Sequence, residues 1–430
     1  MNEHQRIPGK SLSLWQATAD TEHGETLSPP NKVDVCIVGA GIAGLTVAYM
    51  LQQEGRTVCV VDMGDVGGGE TGQTSAHLSP ILGTRYYDLV EMHGEESARI
   101  IAEAHSAALD TIESIVKREN IECDFERVDG YLFLGPEDTS ENLMKEFDTL
   151  LLLGLPYKHV DAIPDVSFES GLAICVHRQG RFHPMKYVLG LAASLQMGGA
   201  SFVRGKATEF KDEDGVRIVL TEDGRMVRAT DVVVASNSPV NSLVSYHTKQ
   251  VAYRTYVVAM CITKGAVPSQ LMWDTADPYH YIRTAPLNNS EELLLVGGAD
   301  HQTGHTEEGA SPWDTVERWA RKYFPEVGAV EYCWSGQVME SIDGIGFNGR
   351  DKDEHTYVIT GDSGNGLTNG TLGARIVSDM ILGRENTWAK TFDASRIPVK
   401  SMSSWLAGAA NAVVHLAERA RSGRIRPYCG

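Results

Sequence analysis

The sequence predicts an α/β fold in which a domain of parallel strands and helices is interleaved with an α+β domain built on a mostly antiparallel sheet. Three observations carry this expectation. Residues 33–62, VDVCIVGAGIAGLTVAYMLQQEGRTVCVVD, read as one strand–loop–helix–strand unit. Near the far end, residues 356–382 read as a strand, a glycine-rich loop and a helix. The stretch between them shifts to short strands, some of them rich in tyrosine. Elements from the two ends then share one sheet, and the intervening strands build another.

The front unit can be justified residue by residue. Val33–Val38 is a short apolar run suited to a buried parallel strand. Gly39, Gly41 and Gly44 follow in GxGxxG spacing. The first glycine permits the tight turn, the second lets backbone approach a pyrophosphate, and the third lets the helix pack on the strand. Ile42–Gln53 has helical apolar spacing, so its start at Ile42 and Ala43 aims N–H groups at phosphate. Thr57–Val61 is the second strand, and Asp62, followed by Met63, stands where an acid accepts hydrogen bonds from a ribose. The order strand, GxGxxG, helix, strand, acid is that of a Rossmann-type dinucleotide site.

The other elements follow along the chain. Residues 1–31 are polar and read as an irregular leader. His93–Asn120 reads as one long helix with Ile101, Ala108, Ile112 and Ile115 on a stripe, and His105 as a packed core histidine on that stripe. Residues 124–134 form a strand, Phe182-His183-Pro184 precede a helix Met185–Met197, and Val216–Leu220 with Val227–Ala235 make a hairpin. Val251–Thr263, Tyr279–Arg283 and Leu293–Gly298 are strands, Trp313–Tyr323 is a helix, Thr356–Thr360 a strand and Thr371–Leu382 a helix. The expected division places 32–120, 176–245 and 336–396 in the dinucleotide domain, 121–175 and 246–335 in the second domain, and 397–430 in a helical tail.

Composition narrows the function classes. The 430 residues are 42% hydrophobic and 22% charged, as in globular proteins. A net charge of -19 argues against nucleic acid or an anionic membrane as partner. The N-terminus lacks the apolar core of a signal peptide, and no apolar run is long enough to span a bilayer, so a cytoplasmic location is expected. The seven cysteines are scattered without a CxxC pair, and no metal site is expected.

GxGxxG serves NAD and FAD alike. The loop after Asp62 favours FAD: Gly69, Glu70, Thr71, Thr74, Ser75, Ala76 and His77 supply small residues, hydroxyls and N–H groups for a large, tightly held cofactor. The back loop, Gly361, Gly364, Asn365, Gly366, Leu367 and Thr368, opens a helix whose N–H groups stabilise negative charge at a flavin's pyrimidine edge.

With these motifs in hand, the chain resembles FAD-dependent oxidoreductases of the D-amino-acid oxidase, glycine oxidase and sarcosine oxidase superfamily. The carrying segments are VGAGIAGL, GGGETGQTSAHLS, RFHPMKYVLGLA, VVVASNSPVN, YHYIR, LLLVGGADH, MESIDGIGFNGR and TGDSGNGLTNGTLGARIVSDMILG. It is most similar to a bacterial branch often fused to a C-terminal Rieske domain, and this sequence stops about where that domain would begin. The resemblance adds Ala207, Ala235, Ser236, Asn237 and Gly344 to the expected cofactor contacts. The family pattern DGxPxxG stands here as Asp343–Gly349 with glycine in place of proline. Non-covalent FAD is expected, because no cysteine matches the family's attachment point. LLLVGG also lacks the lysine that related enzymes use for oxygen activation, so the acceptor is oxygen or a separate electron carrier.

The resemblance implies oxidation of a C–N bond in an amine or amino acid, with hydride passing to flavin N5 and leaving an imine. His77 is a candidate to tune the flavin or accept the amine proton. Tyr279, Tyr281 and Arg283 alternate on one strand face, where two phenols and a guanidinium suit a substrate carboxylate. Arg254 and Tyr256 are candidates for the substrate-side wall, whereas His280 faces away and Arg181 and His183 position the chain. Two other classes stay open: an NAD(P)H-using flavoenzyme such as a monooxygenase, and a flavin-bearing binding protein without turnover.

Overall fold

The computed structural model describes residues 11–20, 30–238, 246, 249–304 and 311–397. Of the expected helical tail 397–430, all but residue 397 lies outside these residues.

Two sheets organise the chain. The eight-stranded sheet runs Phe347–Arg350, Thr356–Thr360, Met226–Val234, Val33–Val38, Val58–Asp62, Ser201–Arg204, with the hairpin of Ala207–Glu213 and Val216–Thr221 hung on Met226–Val234. Val33–Val38 is central and parallel to both neighbours, pairing Val35 with Asp231 on one side and with Val58 on the other. Every residue of Val35–Val38 is buried, which explains a continuous apolar run in place of alternation.

The nine-stranded sheet runs Val330–Ser341, Gln250–Thr263, Glu291–Gln302, Tyr281–Pro286, Leu271–Asp274, Glu126–Phe133, Ala173–Arg181, His77–Leu78, with Tyr157–Val160 also on Ala173–Arg181. All of its pairs are antiparallel except Leu271–Asp274 with Glu126–Phe133. The two sheets match the predicted fold class. The expected division at 175/176 falls inside the strand Ala173–Arg181, and that at 335/336 inside Val330–Ser341.

Several elements differ from expectation. The leader is not wholly irregular: Leu14–Thr18 is a helix, capped by Ser13, with Leu14 and Trp15 buried. Trp15 Nε1 donates to the Thr74 carbonyl at 2.7 Å, which ties this turn to the loop after Asp62. The long helix begins at Glu95 and ends at Glu119, after a separate helix Tyr86–His93; Gly94, at φ +84°, breaks the run. The last helix starts at Gly366, five positions before the expected Thr371. Its glycines read as loop, yet a Cβ at Gly370 would sit 3.1 Å from Ala43 Cβ. Close packing on the helix Ile42–Gln53 outweighs the poor helix propensity of glycine. Among the described residues, no helix is long and apolar enough to cross a membrane.

Candidate active site

One continuous cavity of about 880 Å³ runs from the carboxyl edge of the parallel strands to the face of the larger sheet. That volume suits a large ligand together with a small one. At one end stand Gly39, Gly41, Ile42 and Ala43, then Asp62 and Met63, then Ala207, Ala235, Ser236 and Asn237. The middle is walled by Gly69, Glu70, Thr71, Thr74 and Ser75, and across from them by Gly364, Asn365, Gly366 and Leu367. His77, Thr255, Trp273, Tyr279, Tyr281 and Asp300 line the far end.

The glycine cradle is fixed by close approach. Gly39 has φ +117°, and a Cβ there would lie 2.4 Å from the Ala235 carbonyl oxygen. A Cβ on Gly44 would lie 1.9 Å from the Gly39 oxygen, so Gly44 packs the turn and does not line the cavity. Asp62 holds the turn from below: its two oxygens accept from the N–H of Ala40 at 2.6 Å and of Gly64 at 2.7 Å. No side chain caps the helix Ile42–Gln53 at Gly41 or the helix Gly366–Ile381 at Asn365. Both helix starts face the cavity; at the first, the Ile42 N–H donates to Thr71 Oγ1 at 3.1 Å, and the dipole ends suit phosphate at one and a ring edge carrying negative charge at the other. The residues present therefore fit a dinucleotide as long as FAD. Asp362 lines the cavity ahead of the Asn365 N-cap.

The loop after Asp62 is clamped between the sheets. Trp334 Nε1 donates to the Gln73 carbonyl at 2.9 Å, and the Gln337 N–H donates to Glu70 Oε2 at 2.6 Å. Burial raises the Glu70 carboxyl to about 7, opposed by that N–H and by Arg254. Ala76 takes φ +62° and turns inward, off the cavity wall.

His77 lines the cavity, but both ring nitrogens are engaged. Nε2 lies 3.2 Å from the Ile282 carbonyl, to which only a protonated nitrogen can donate, and Nδ1 lies 3.0 Å from the Ser75 hydroxyl. Burial, with the nearby Arg283 charge, lowers its pKa to about 3. A neutral ring with no free lone pair is poorly placed to accept an amine proton. It braces Trp273 and Tyr281, whose rings lie 5.4 and 5.6 Å away.

Of the expected substrate face, Tyr279 and Tyr281 meet at the cavity with ring centroids 5.8 Å apart. Tyr281 begins its strand, while Tyr279 stands in the preceding loop, which Asp274 fastens by accepting from the His280 N–H and ring. The Tyr281 ring lies over Gly297, where a Cβ would come within 1.9 Å of it. His280 turns the other way and stacks on Trp319 at 4.2 Å.

Arg283 is a correction. It shares a strand face with Tyr281 but is 2% exposed and does not line the cavity. Nη1 donates to the carbonyls of Ala76 at 2.6 Å and Phe182 at 3.3 Å, and the guanidinium lies 5.2 Å from the Trp15 ring. The loop at Ala76 and the helix Leu14–Thr18 cover it. Tyr256 is a second correction: it is buried on the opposite face, stacked on His301 and edge-on to Trp313. Arg254, expected on the same wall, donates to Ser335 Oγ. Gly344 packs on Thr84, Gly361 on Phe347, and Thr368 bonds His105 at 2.8 Å, so none of the three lines the cavity. Arg181 bonds Thr284 and Glu126, and His183 caps the helix Pro184–Met197.

Sequence reasoning missed Gln16, Arg85, Thr255, Trp273, Asp300 and Gln337 as wall residues. They come from six separate elements, two of them helical, and only tertiary packing brings them together. The structure also gathers Asp129, Cys175 and His177, ligand atoms within 4.8 Å of one another, where scattered residues were expected. Cys175-Val176-His177 is a CxH pair, and His177 Nδ1 lies 3.1 Å from Asp129.

Comparison with known proteins decides the family. The DAO family model, described as FAD dependent oxidoreductase, matches residues 34–380. The chain belongs to this FAD-dependent oxidoreductase family. Members are enzymes with FAD as cofactor, which agrees with the cradle and the two helix starts that face the cavity. The chain is 26% identical over 388 residues to the Rieske 2Fe-2S iron-sulfur protein YhfW of Bacillus subtilis (strain 168), covering 89% of this chain and 75% of that one. It is 26% identical over 394 residues to the gamma-glutamylputrescine oxidoreductase of Escherichia coli (strain K12), covering 86% and 87%. Among solved structures, glycine oxidase from Geobacillus kaustophilus superposes with a TM-score of 0.70 at 16% identity, covering 86% of this chain and 100% of that one.

Proposed function

We propose that this FAD-dependent oxidoreductase oxidises a C–N bond in an amine or amino acid. The observation that carries the reading is the continuity of the cavity. One space joins the glycine cradle to a chamber of phenols, Thr255 and Asp300, so a small molecule there abuts a cofactor lying along the cradle. When bound, FAD supplies a hydride acceptor at N5, and the oxidised substrate leaves as an imine that water hydrolyses.

The chain's own residues orient and enclose. Gly39, Gly41, Ile42, Ala43 and Asp62 hold the adenosine and pyrophosphate end. Thr71, Thr74 and Ser75 face the middle, and the helix start at Gly366 and Leu367 faces the ring. Tyr279 and Tyr281 form the substrate-side wall, and His77 braces Tyr281. FAD is held without a covalent bond, in keeping with a cavity wall that contains no cysteine among the described residues. The acceptor that reoxidises it is oxygen or a separate electron carrier.

Anaerobic titration tests the reading. D- and L-amino acids, N-methyl amino acids and polyamines are added in turn while flavin absorbance is followed. Bleaching by at least one compound is expected, and the rate of recolouring in air distinguishes oxidase from dehydrogenase. A yellow protein that no compound bleaches overturns the proposal.

A further inference from the structure

The chamber presents carboxylates where an α-amino acid would need cations. Asp300 reaches it through a β-bulge. Arg254 pairs with His301 and Tyr256 with Gly298, so Ala299 and Asp300 together stand opposite Thr255 alone. Ala299 takes φ +54°, a conformation that residues with a Cβ seldom adopt. Before the bulge, the even positions Leu294 and Val296 pack in the apolar cluster under the helix Pro312–Tyr323. After it, His301 stacks on Tyr256 on that same side. The extra residue reverses the alternation and turns Asp300 to the cavity; an unbulged strand would turn it away.

Asp300 accepts from the Thr255 hydroxyl with one oxygen, but its Oδ1 is buried without a partner. Across the cavity, Asp362 Oδ1 is also buried without a partner. Glu340 adds negative charge close to both Asp300 and Asp362, though it does not itself line the cavity. Among the described residues, the cations that line the cavity are Arg85 and Lys206. Lys206 belongs to the cradle end, where the Gly205 N–H bonds the Asp62 carbonyl. Arg85 lies by Tyr279, within electrostatic reach of Asp88 and Glu146. Arg283 is sealed off, as described.

Buried carboxylate oxygens without donors are costly unless a ligand supplies the donor. Hydride departure requires a lone pair on the adjacent nitrogen, so the reacting nitrogen binds neutral. The positive charge that answers Asp300 must then sit elsewhere on the substrate. We infer that the chamber selects an aliphatic amine bearing a second, remote ammonium group, a di- or polyamine, and that Asp300 Oδ1 receives that ammonium. This rests on the amine-oxidation reading above and narrows its substrate class.

Three four-carbon probes test it on the FAD-loaded protein: 1-aminobutane, 1,4-diaminobutane and 4-aminobutanoate. Calorimetry reads binding, and anaerobic flavin absorbance reads reduction. The diamine is expected to half-saturate at least tenfold below 1-aminobutane, with 4-aminobutanoate the weakest. Asp300→Asn should weaken the diamine on the order of 10- to 100-fold while changing 1-aminobutane by less than about threefold. Equal or tighter binding of 4-aminobutanoate overturns the inference, as does a diamine preference unchanged in Asp300→Asn. The wild-type ranking decides even if that variant fails to fold. Bleaching by amino acids but not by diamines sinks this inference and leaves amine oxidation standing. Binding of the diamine that depends on Asp300 but bleaches nothing does the reverse.

Discussion

Replacing Arg283 by methionine removes three donors at once while keeping most of the side chain's apolar stem. The guanidinium serves the carbonyls of Ala76, Phe182 and Thr284 at 2.6, 3.3 and 3.2 Å. The Thr284 carbonyl keeps a second donor in Arg181 Nη1 at 3.1 Å, whereas the carbonyls of Ala76 and Phe182 are left buried and unpaired at about 1–3 kcal/mol each. Relief of the guanidinium's own desolvation offsets part of the sum, leaving about 3–5 kcal/mol, as for other broken buried charge contacts. Unfolding entropy of roughly 2.1 cal/mol/K per residue over 430 residues makes this a fall in Tm of about 3–6 °C. Scanning calorimetry of the FAD-loaded variant measures it. The same preparation, titrated anaerobically with 4-aminobutanoate and 1-aminobutane, should show a ratio of half-saturating concentrations within about threefold of wild type. The reasoning fails if Tm stays within about 1 °C while the carboxylate compound alone weakens by about 100-fold, the signature of a lost Arg–carboxylate pair.

Other outcomes follow from the same geometry. Gly44→Ala places a Cβ 1.9 Å from a backbone oxygen that cannot move aside, so the purified protein should be colourless; retention of stoichiometric FAD would contradict this. Asp62→Ala strips the acceptor from two N–H groups of the turn, and FAD affinity measured by fluorescence quenching should drop on the order of 10- to 100-fold. His77, lowered to about 3 by burial, stays neutral above pH 5; His77→Gln should leave every inflection between pH 5.5 and 8 in the flavin-reduction profile where it was. Glu70 is raised by burial from 4.5 to about 7. Between those values the native state keeps a proton that the unfolded chain has released. Its stabilising contribution is therefore full below about 4.5 and is lost as pH rises through 7. Glu70→Gln should flatten the decline of apo-protein stability over that window by up to about 1.4 kcal/mol per pH unit, measured by urea denaturation at several pH values. An unchanged slope would show that Glu70 ionises normally.

How much was legible in the sequence varies with the range of the interactions involved. The unit at 33–62 was readable because a strand, a tight turn and a helix start are local, and the glycines must stand at set spacing whatever surrounds them. The mixed α/β class was readable for the same reason: apolar runs and alternation report which face is buried. The helix starting at Gly366 was read five residues late, because what makes its glycines helical is a partner helix more than three hundred positions away.

The substrate end shows the limit most clearly. Alternation on one strand correctly put Tyr281 and Arg283 on a common face, and the structure keeps them there. Strand parity cannot say what lies above that face. The turn Leu14–Thr18 and the loop at Ala76 close over Arg283 and leave Tyr281 open. Asp300 reverses the case: its position in LLLVGGADH carries no signal, and a bulge against Thr255 decides which side it faces. Sequence by itself determined the cofactor cradle and the kind of sheets that carry it, since these rest on backbone conformation and local burial. Which side chains meet the substrate was decided by tertiary structure alone, because a charged group is a ligand or a strut according to what distant segments fold over it.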